Sequence, residues 1–167
     1  SDAIQADGPL VVFVPGGAFG LSKCWASERF AALADKLIEK YHATVILSVA
    51  PNQTEKKIAA DIQKHSSHQL ISLADDPLSL QELKALFSLA DLVVANDTGP
   101  RHIAIALNRK IITLFGPNDP AWTQTGHHKE IQIVGKAPCA PCHKAVCPRK
   151  RHTCMEDITV EKVRAEA

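Results

Sequence analysis

No apolar run in this 167-residue chain approaches the roughly 20 residues that a membrane-spanning helix needs. Charge of one sign is not in excess either, because 19 Lys and Arg stand against 18 Asp and Glu. This balance gives no overall attraction to nucleic acid or to an acidic membrane surface. The polar start, residues 1–8, lacks the pattern of a signal peptide, so we expect a soluble, cytosolic protein. Any site for an anion must therefore be local.

Two common phosphate-binding motifs are also missing. The run Gly16-Gly17-Ala18-Phe19-Gly20 does not follow the G-x-G-x-x-G pattern of dinucleotide-binding folds, and no G-x-x-x-x-G-K-[ST] loop occurs. We find no internal repeat, no low-complexity segment and no nucleophile elbow. Strand ends carry no pair of carboxylates suited to general acid and base hydrolysis. Neither a standard dinucleotide fingerprint nor a P-loop is therefore present.

Short apolar runs alternate with segments of helical spacing. The runs are hydrophobic throughout, as is typical of parallel strands covered on both faces. They lie at 10–14, 45–47, 92–95 and 111–115, with weaker strands predicted at 69–73 and 131–134. Helices are predicted at 25–41, 55–64, 80–89 and 99–107, and a short one near 159–165. The order predicts an α/β fold with a doubly wound, Rossmann-like parallel sheet in a single domain over 1–167, after a linker over 1–8.

In such sheets ligands bind beyond the carboxyl ends of the strands. The segments that follow the four main strands are Pro15-Gly16-Gly17, residues 48–52, residues 96–99 and Gly116-Pro117-Asn118. Three of them contain glycine, and all are polar or turn-forming. Glycines also simply make turns, but their convergence at several strand ends favours a crevice for a ligand that carries phosphate.

The segment after the strand at 92–95 is the most informative, because a helix begins there at once. The first N–H groups of a helix have no partner within it and lie at the positive end of its dipole, so they attract an anion. Thr98 and Gly99 would let the backbone approach a phosphate, and Pro100 suits the first helical turn. Asp or Thr before a helix is also commonly only an N-cap, and both readings stay open.

Three further side chains near these turns could contribute chemistry. Lys23 follows the first glycine turn, from which its ammonium could reach a phosphate, although an exposed lysine is commonly just solvated. His102 lies about one turn inside the fourth helix and could face either the crevice or the sheet. Asp97 could orient this histidine or the backbone.

Four cysteines lie close together in a loop predicted over 136–157. They are Cys139, Cys142, Cys147 and Cys154. The leading C-x-x-C is a good half of a structural zinc site, but no second C-x-x-C follows, so a metal site, free thiols and disulfides all stay open. Lys144, Arg149 and neighbouring basic residues would suit a module that binds nucleic acid or protein, although base-stacking aromatics are absent between them. Cys24 stands apart and reads as a small packed hydrophobe.

Taken in order, these motifs resemble the lipopolysaccharide heptosyltransferases of glycosyltransferase family 9. The specific blocks are Asn96-Asp97-Thr98-Gly99-Pro100-Arg101-His102 and Phe115-Gly116-Pro117. Weaker matches are Lys23-Cys24-Trp25, the residues 79–83 and 90–94, and the cysteine pattern from Pro138 to Met155. The resemblance covers nearly the whole chain. Two departures are Ser48-Val49-Ala50-Pro51, where family members usually carry a glycine-rich turn, and Ala26, where they commonly have proline.

The resemblance implies the C-terminal half of a GT-B glycosyltransferase, the half that binds the sugar donor. It implies ADP-heptose as that donor, with Lys23 and the Thr98-Gly99 turn on the diphosphate. Asp97, Pro100 and His102 would lie close by, and Glu55 would contact the ribose. It places the acceptor, the lipopolysaccharide core, and the catalytic base on an N-terminal domain with no counterpart here. It further implies no required cofactor, no nucleic-acid partner, and a cytoplasmic location with peripheral contact to the inner membrane. The alternative is a transferase of the same architecture that uses another nucleotide sugar.

Overall fold

The computed structural model describes residues 7–167, so most of the linker predicted over 1–8 lies outside the described residues. Six strands form one sheet: β1 (Leu10–Val14), β2 (Thr44–Leu47), β3 (Ile71–Ser72), β4 (Leu92–Asn96), β5 (Ile111–Phe115) and β6 (Glu130–Val134). Six α-helices accompany them: α1 (Ser27–Tyr41), α2 (Gln53–His65), α3 (Leu80–Leu89), α4 (Gly99–Ala106), α5 (Thr153–Glu156) and α6 (Val160–Glu166). Two short 3-10 turns lie at Leu21–Lys23 and Pro120–Thr123.

All neighbouring strands are parallel, and their order in the sheet is β3-β2-β1-β4-β5-β6. The strands β2 and β3 therefore lie on one side of β1, and the strands β4, β5 and β6 lie on its other side. Between β1 and β4 the loops leave the sheet on opposite sides, which opens a crevice at the carboxyl ends of these two strands. This topology confirms the predicted fold class.

Both faces of the sheet are covered by helices. Alternate strand residues point to opposite faces, so Phe13 packs with Phe30 and Leu33 of α1 in one apolar layer. Val12 packs with Phe87 and Ala104, from α3 and α4, in the other layer. Burial on both sides explains why the central strands read as continuous apolar runs.

Most predicted boundaries lie within two residues of the observed ones. The third strand is shorter than predicted because only Ile71 and Ser72 pair with β2 at this edge of the sheet. The loop predicted over 136–157 contains α5, which the sequence reading left out. Among residues 7–167, no helix combines the length and apolar character needed to cross a membrane.

Candidate functional site

A crevice of about 360 Å³ opens at the point where the strand order reverses. Its walls include six of the residues predicted for the site: Gly16, Gly17, Glu55, Thr98, Gly99 and Pro100. They come from the loop after β1, the first turn of α2 and the first turn of α4. Three chain segments that are distant in sequence therefore meet where the topology predicts a ligand.

Thr98 occupies the N-cap position of α4 but does not cap the helix. Its side chain makes no hydrogen bond to the first turn. Its hydroxyl oxygen is buried and has no hydrogen-bond partner among the described residues. A buried hydroxyl without a partner is costly, so a ligand atom that pairs with it is favoured. Simple capping, the alternative left open by the sequence, is not what this residue does.

Lys23 and Asp97 form an ion pair beside this turn. The Lys23 ammonium lies 2.8 Å from Asp97 Oδ2 and also donates to the Asp97 carbonyl oxygen at 3.1 Å. The same ammonium lies 4.7 Å from the centre of the Phe19 ring. Both members of the pair are largely shielded from solvent, with 11% and 7% of their side chains exposed. The position fixes a cation next to the start of α4.

Arg101 carries this charge network into the core. Its side chain is fully buried, and Nη1 lies 3.6 Å from Asp97 Oδ1. Two nitrogens bind the Glu130 carboxylate, at 2.6 Å and 3.1 Å, in a fork-to-fork pair. Thr123 accepts two further hydrogen bonds. Burial raises the pKa of Glu130, but hydrogen bonds from Arg101 and Thr113 and the guanidinium charge outweigh it and hold this pKa below its usual range.

Glu55 reaches the crevice from the first turn of α2. Asn52 caps this helix by accepting a hydrogen bond from the Glu55 backbone N–H at 2.9 Å. The Glu55 carboxylate accepts from the Ala50 N–H at 2.7 Å. It packs so closely on Gly16 that a methyl group there would lie 2.1 Å from the Glu55 carboxyl carbon. The close approach explains why glycine occupies position 16.

Asn96 ties the two central strands together at their carboxyl ends. Its side chain is fully buried. The amide nitrogen donates to the carbonyl oxygens of Pro15 and Gly16, at 2.7 Å and 3.1 Å, and the amide oxygen accepts from the Trp25 N–H at 3.2 Å. One side chain therefore sets the spacing between the loop after β1 and the start of α4.

Four predicted site residues do not line the crevice. Lys23 and Asp97 pair with each other next to the start of α4, and the other two are His102 and Gly116. His102 is exposed on α4 and does not line the crevice. Gly116 lines a different cavity and packs against Met155, whose sulfur would lie 2.3 Å from a methyl group added at this glycine. The structure thus places Gly116 at a packing contact between β5 and the segment 136–157, which we call the cysteine loop.

Comparison with known proteins gives the same assignment as the motifs. The sequence profile of glycosyltransferase family 9 (heptosyltransferase) matches residues 1–152. The chain belongs to this family. It is 35% identical over 159 residues to lipooligosaccharide heptosyltransferase 2 of Haemophilus ducreyi, covering 93% of this chain and 45% of that protein. Identity to lipopolysaccharide heptosyltransferase 2 of Escherichia coli K12 is 28% over 165 residues, covering 98% of this chain and 47% of the relative.

The fold of this family 9 chain is shared with a solved relative. A structure described as E. coli ADP-heptose lps heptosyltransferase II superposes with a TM-score of 0.80 at 26% identity. The match covers 98% of this chain and 46% of the other. The chain thus spans about half the length of the relatives it matches, and the matched part is their C-terminal part. The resemblance in the motifs is confirmed at the level of family and fold.

The cysteine loop of this family 9 chain folds back against the first 3-10 turn. Ser22 donates its backbone N–H to the Ala145 carbonyl oxygen and its hydroxyl to that of Lys144. All five cysteines are free thiols, which leaves the disulfide reading without support in this structure. Burial raises the pKa of Cys154, and proximity to the other three cysteines of the loop raises it further.

Cys24 is separate from that loop and adjoins the crevice. Its sulfur would lie 3.8 Å from a methyl group placed on Gly17. Burial, with the nearby Glu55 carboxylate, raises the pKa of the Cys24 thiol to about 11. A thiol that stays protonated at neutral pH is chemically quiet, in line with the packed hydrophobe predicted from the sequence.

Sequence reasoning missed two residues that organise this site. Asn96 and Arg101 stand inside the specific motif, yet neither was singled out. A usable signal was present in both cases, because an amide at the end of a buried strand and an arginine four residues after an aspartate each need a partner. Their partners, at positions 15, 16 and 130, are too distant in sequence to be read from spacing.

Proposed function

We propose that this chain is the donor-binding half of an inverting glycosyltransferase that moves heptose from ADP-heptose to the lipopolysaccharide inner core. The observation that carries the proposal is the unpaired, buried Thr98 hydroxyl in the crevice, which follows directly after Asp97, the partner of the Lys23 ammonium. Relatives named lipopolysaccharide or lipooligosaccharide heptosyltransferase 2 support the sugar and the acceptor. The solved relative described as an ADP-heptose transferase supports the donor.

In this proposal the diphosphate of the donor lies at the start of α4. The Thr98 hydroxyl and the Gly99 N–H donate to its oxygens, and Lys23 supplies a positive charge. Negative charge on the diphosphate grows as its bond to the sugar breaks, so groups that are already in place stabilise the transition state most. Lys23 and the helix terminus thereby assist the departure of ADP without a required metal ion.

The remaining atoms of the reaction are assigned as follows. An acceptor hydroxyl attacks the anomeric carbon from the face opposite ADP, the bond from that carbon to the diphosphate oxygen breaks, and the configuration inverts. The hydroxyl proton passes to a base that we assign, with acceptor binding, to the part of the relatives that this chain does not match. In this proposal Glu55 receives the ribose hydroxyls and Asp97 lies near the diphosphate end, whereas His102, which does not line the crevice, is given no contact with the donor. We place the reaction in the cytoplasm with peripheral contact to the inner membrane.

A nucleotide titration followed by NMR tests the proposal. The chain is titrated with ADP, AMP, UDP and GDP, because half of a cleft binds with a Kd of about 1 mM, or some 4 kcal/mol. We expect amide shifts at Lys23, Thr98 and Gly99, with ADP preferred over AMP because the second phosphate meets the lysine. In K23A this preference should disappear, whereas K64A, at an exposed position near the end of α2, should behave like the parent chain.

Three outcomes would count against the proposal. If shifts cluster at Lys144, Arg149 and Arg151 and respond to RNA with strong salt dependence, the cysteine loop is the binding surface and the nucleic-acid alternative holds. A preference for UDP or GDP over ADP would assign the architecture to another nucleotide sugar. Unchanged ADP affinity in K23A would remove the role given to that lysine.

A further inference from the structure

Four charged side chains form a line from the edge of the crevice into the core, and their signs alternate. In order along this line, which we call the charge network, they are Lys23, Asp97, Arg101 and Glu130. The first two side chains are 11% and 7% exposed, and the last two are 0% and 3% exposed. The network therefore connects a lysine beside the proposed diphosphate site to a glutamate at the first residue of β6.

Asp97 lies between the two cations and faces each with a different carboxylate oxygen. Oδ2 accepts a hydrogen bond from the Lys23 ammonium at 2.8 Å, and Oδ1 lies 3.6 Å from Arg101 Nη1. The two cations therefore compete for the negative charge of one carboxylate. The more strongly Arg101 attracts this carboxylate, the more of the lysine charge remains for an anion in the crevice.

Glu130 determines how much of the Arg101 charge acts on Asp97. Its carboxylate accepts from Arg101 Nε at 2.6 Å, from Arg101 Nη2 at 3.1 Å and from the Thr113 hydroxyl at 2.7 Å. The pKa of Glu130 lies below its usual range despite its burial, so this carboxylate is ionised at neutral pH and offsets the guanidinium charge. Thr123 accepts two further bonds from Arg101, which keeps the guanidinium in place between its two carboxylates.

Stability alone does not account for a buried network of this kind. Replacing a buried ion pair by apolar side chains of similar volume is often neutral or stabilising, because the cost of shielding two charges from water offsets their attraction. Arg101 lies in the first turn of α4, and the start of that turn lines the crevice. A buried charge is screened much less than an exposed one, so this arginine acts on the crevice from within the core.

We propose that Arg101 and Glu130 are positioning residues that set the affinity of the crevice for an anion, and that they act through Asp97. Arg101 raises this affinity because it draws the Asp97 carboxylate away from the lysine charge. Glu130 lowers it because it offsets the guanidinium. The proposal rests on the proposed function in one respect, since it takes the anion to be the diphosphate of the donor. It gives neither residue a contact with the donor.

The signs of two single variants follow from the sum of the charges. With all four groups ionised the network carries no net charge, so R101M leaves one negative charge in excess and E130Q leaves one positive charge in excess. R101M should therefore weaken ADP binding, and E130Q should strengthen it. A unit charge within about 10 Å of another, at an effective dielectric constant between about 20 and 80, changes an affinity about two- to fifteenfold. We expect about fivefold in each direction.

Titrations with ADP followed by NMR at pH 8 measure these shifts. In R101M/E130M the charges again sum to zero, and the Kd should return to within about twofold of the parent value. R101K keeps the positive charge and loses the fork-to-fork pair, so it should bind ADP nearly as well as the parent chain. The matched controls are K64M and E161Q, in which the same charges are removed at exposed positions, and their Kd should equal that of the parent chain.

A second measurement needs no nucleotide and separates this proposal from the proposed function. Lys23 is acylated with acetic anhydride, and its rate relative to the exposed Lys64 is read by peptide mass spectrometry. The amine must lose its proton before it reacts, and the Asp97 carboxylate stabilises that proton. R101M leaves this carboxylate to Lys23 alone and should slow the reaction about fivefold, whereas E130Q should accelerate it by a similar factor.

Opposite shifts in R101M and E130Q would support the proposal, because damage to the fold would weaken ADP binding and expose Lys23 in both variants. Shifts in the same direction, or ADP binding in both variants equal to that of the parent chain, would show that the two residues only support the fold. If the parent chain binds no nucleotide while the two acylation rates shift oppositely, the proposed function fails and the coupling to Lys23 stands. Where R101M does not fold, E130Q carries the test, because a damaged fold does not bind ADP more tightly.

Discussion

Removing the Arg101 guanidinium should destabilise this domain more than any exposed charge change. The variant R101M leaves Glu130 in the core without its positive partner and leaves Asp97 paired only with Lys23. Losing one member of a buried ion pair costs about 3–5 kcal/mol, because the remaining charge stays shielded from water. Glu130 keeps hydrogen bonds from Thr113 and Gln132, so we expect the lower end of this range, about 3 kcal/mol.

Urea unfolding measures this loss directly. Trp25 is buried and its fluorescence reports the core. With about 2–4 °C of melting temperature per kcal/mol in a chain of this size, R101M should also melt about 6–12 °C below the parent chain. The matched control is K57M, which breaks an exposed pair with Asp61 and should leave the free energy of unfolding close to that of the parent chain.

A double variant separates the ion pair from simple packing. In R101M/E130M neither member of this pair is left as an unpaired buried charge, and replacing a buried ion pair by apolar side chains of similar volume can leave the free energy of unfolding nearly unchanged. The double variant should therefore be more stable than R101M alone. If R101M loses less than about 1 kcal/mol, or the double variant is no more stable than R101M, the buried pair does not stabilise the fold as argued.

Three other predictions concern Glu130, Cys24 and the two glycines of the crevice. The pKa of Glu130 is lower in the folded chain than in the unfolded chain, so the ionised carboxylate stabilises the fold fully above its unfolded pKa, and this stabilisation is lost as the pH falls through the folded pKa. The free energy of unfolding of E130Q, measured with urea at a series of pH values from 5 downwards, should therefore fall less steeply with pH than that of the parent chain. Cys24, with a pKa of about 11, should be alkylated about 100-fold more slowly at pH 8 than in the unfolded chain, as resolved by peptide mass spectrometry, and E55Q should accelerate it. G16A should weaken ADP binding more than it lowers stability, because its methyl group displaces only the flexible end of Glu55, whereas G17A, where the nearest atom lies at 3.6 Å, should change neither much.

Much of the fold was predictable because the central strands are buried on both faces. Such strands read as continuous apolar runs, and the capping box of Ser79 and Glu82 marks the start of α3 at the predicted residue. The strand predicted at 69–73 was longer than the observed β3, since pairing with a single neighbour at the sheet edge leaves little trace in the sequence. The helix α5, of four residues, is too short for its spacing to stand out.

The site was predictable only where it depends on local backbone. Thr98 and Gly99 could be placed because a helix start follows directly from the order of elements. Gly116 could not be, because its contact with Met155 joins segments that are 39 positions apart, and the sequence shows only a glycine after a strand. The resemblance of the motifs to a known family adds what spacing alone cannot supply, namely a prediction of which strand ends contribute to one site.

The ion pair of Lys23 and Asp97 means that the crevice carries its own resting counter-ion. The Lys23 ammonium has three N–H donors, and Asp97 accepts two of them, through its carboxylate and its carbonyl oxygen. The carboxylate offsets the charge of the lysine, so an anion that binds the remaining donor meets an ion pair and not a bare cation. A small anion such as sulfate, which offers no further contacts, should therefore gain little from this lysine, whereas a ligand that also reaches the Thr98 hydroxyl should gain more.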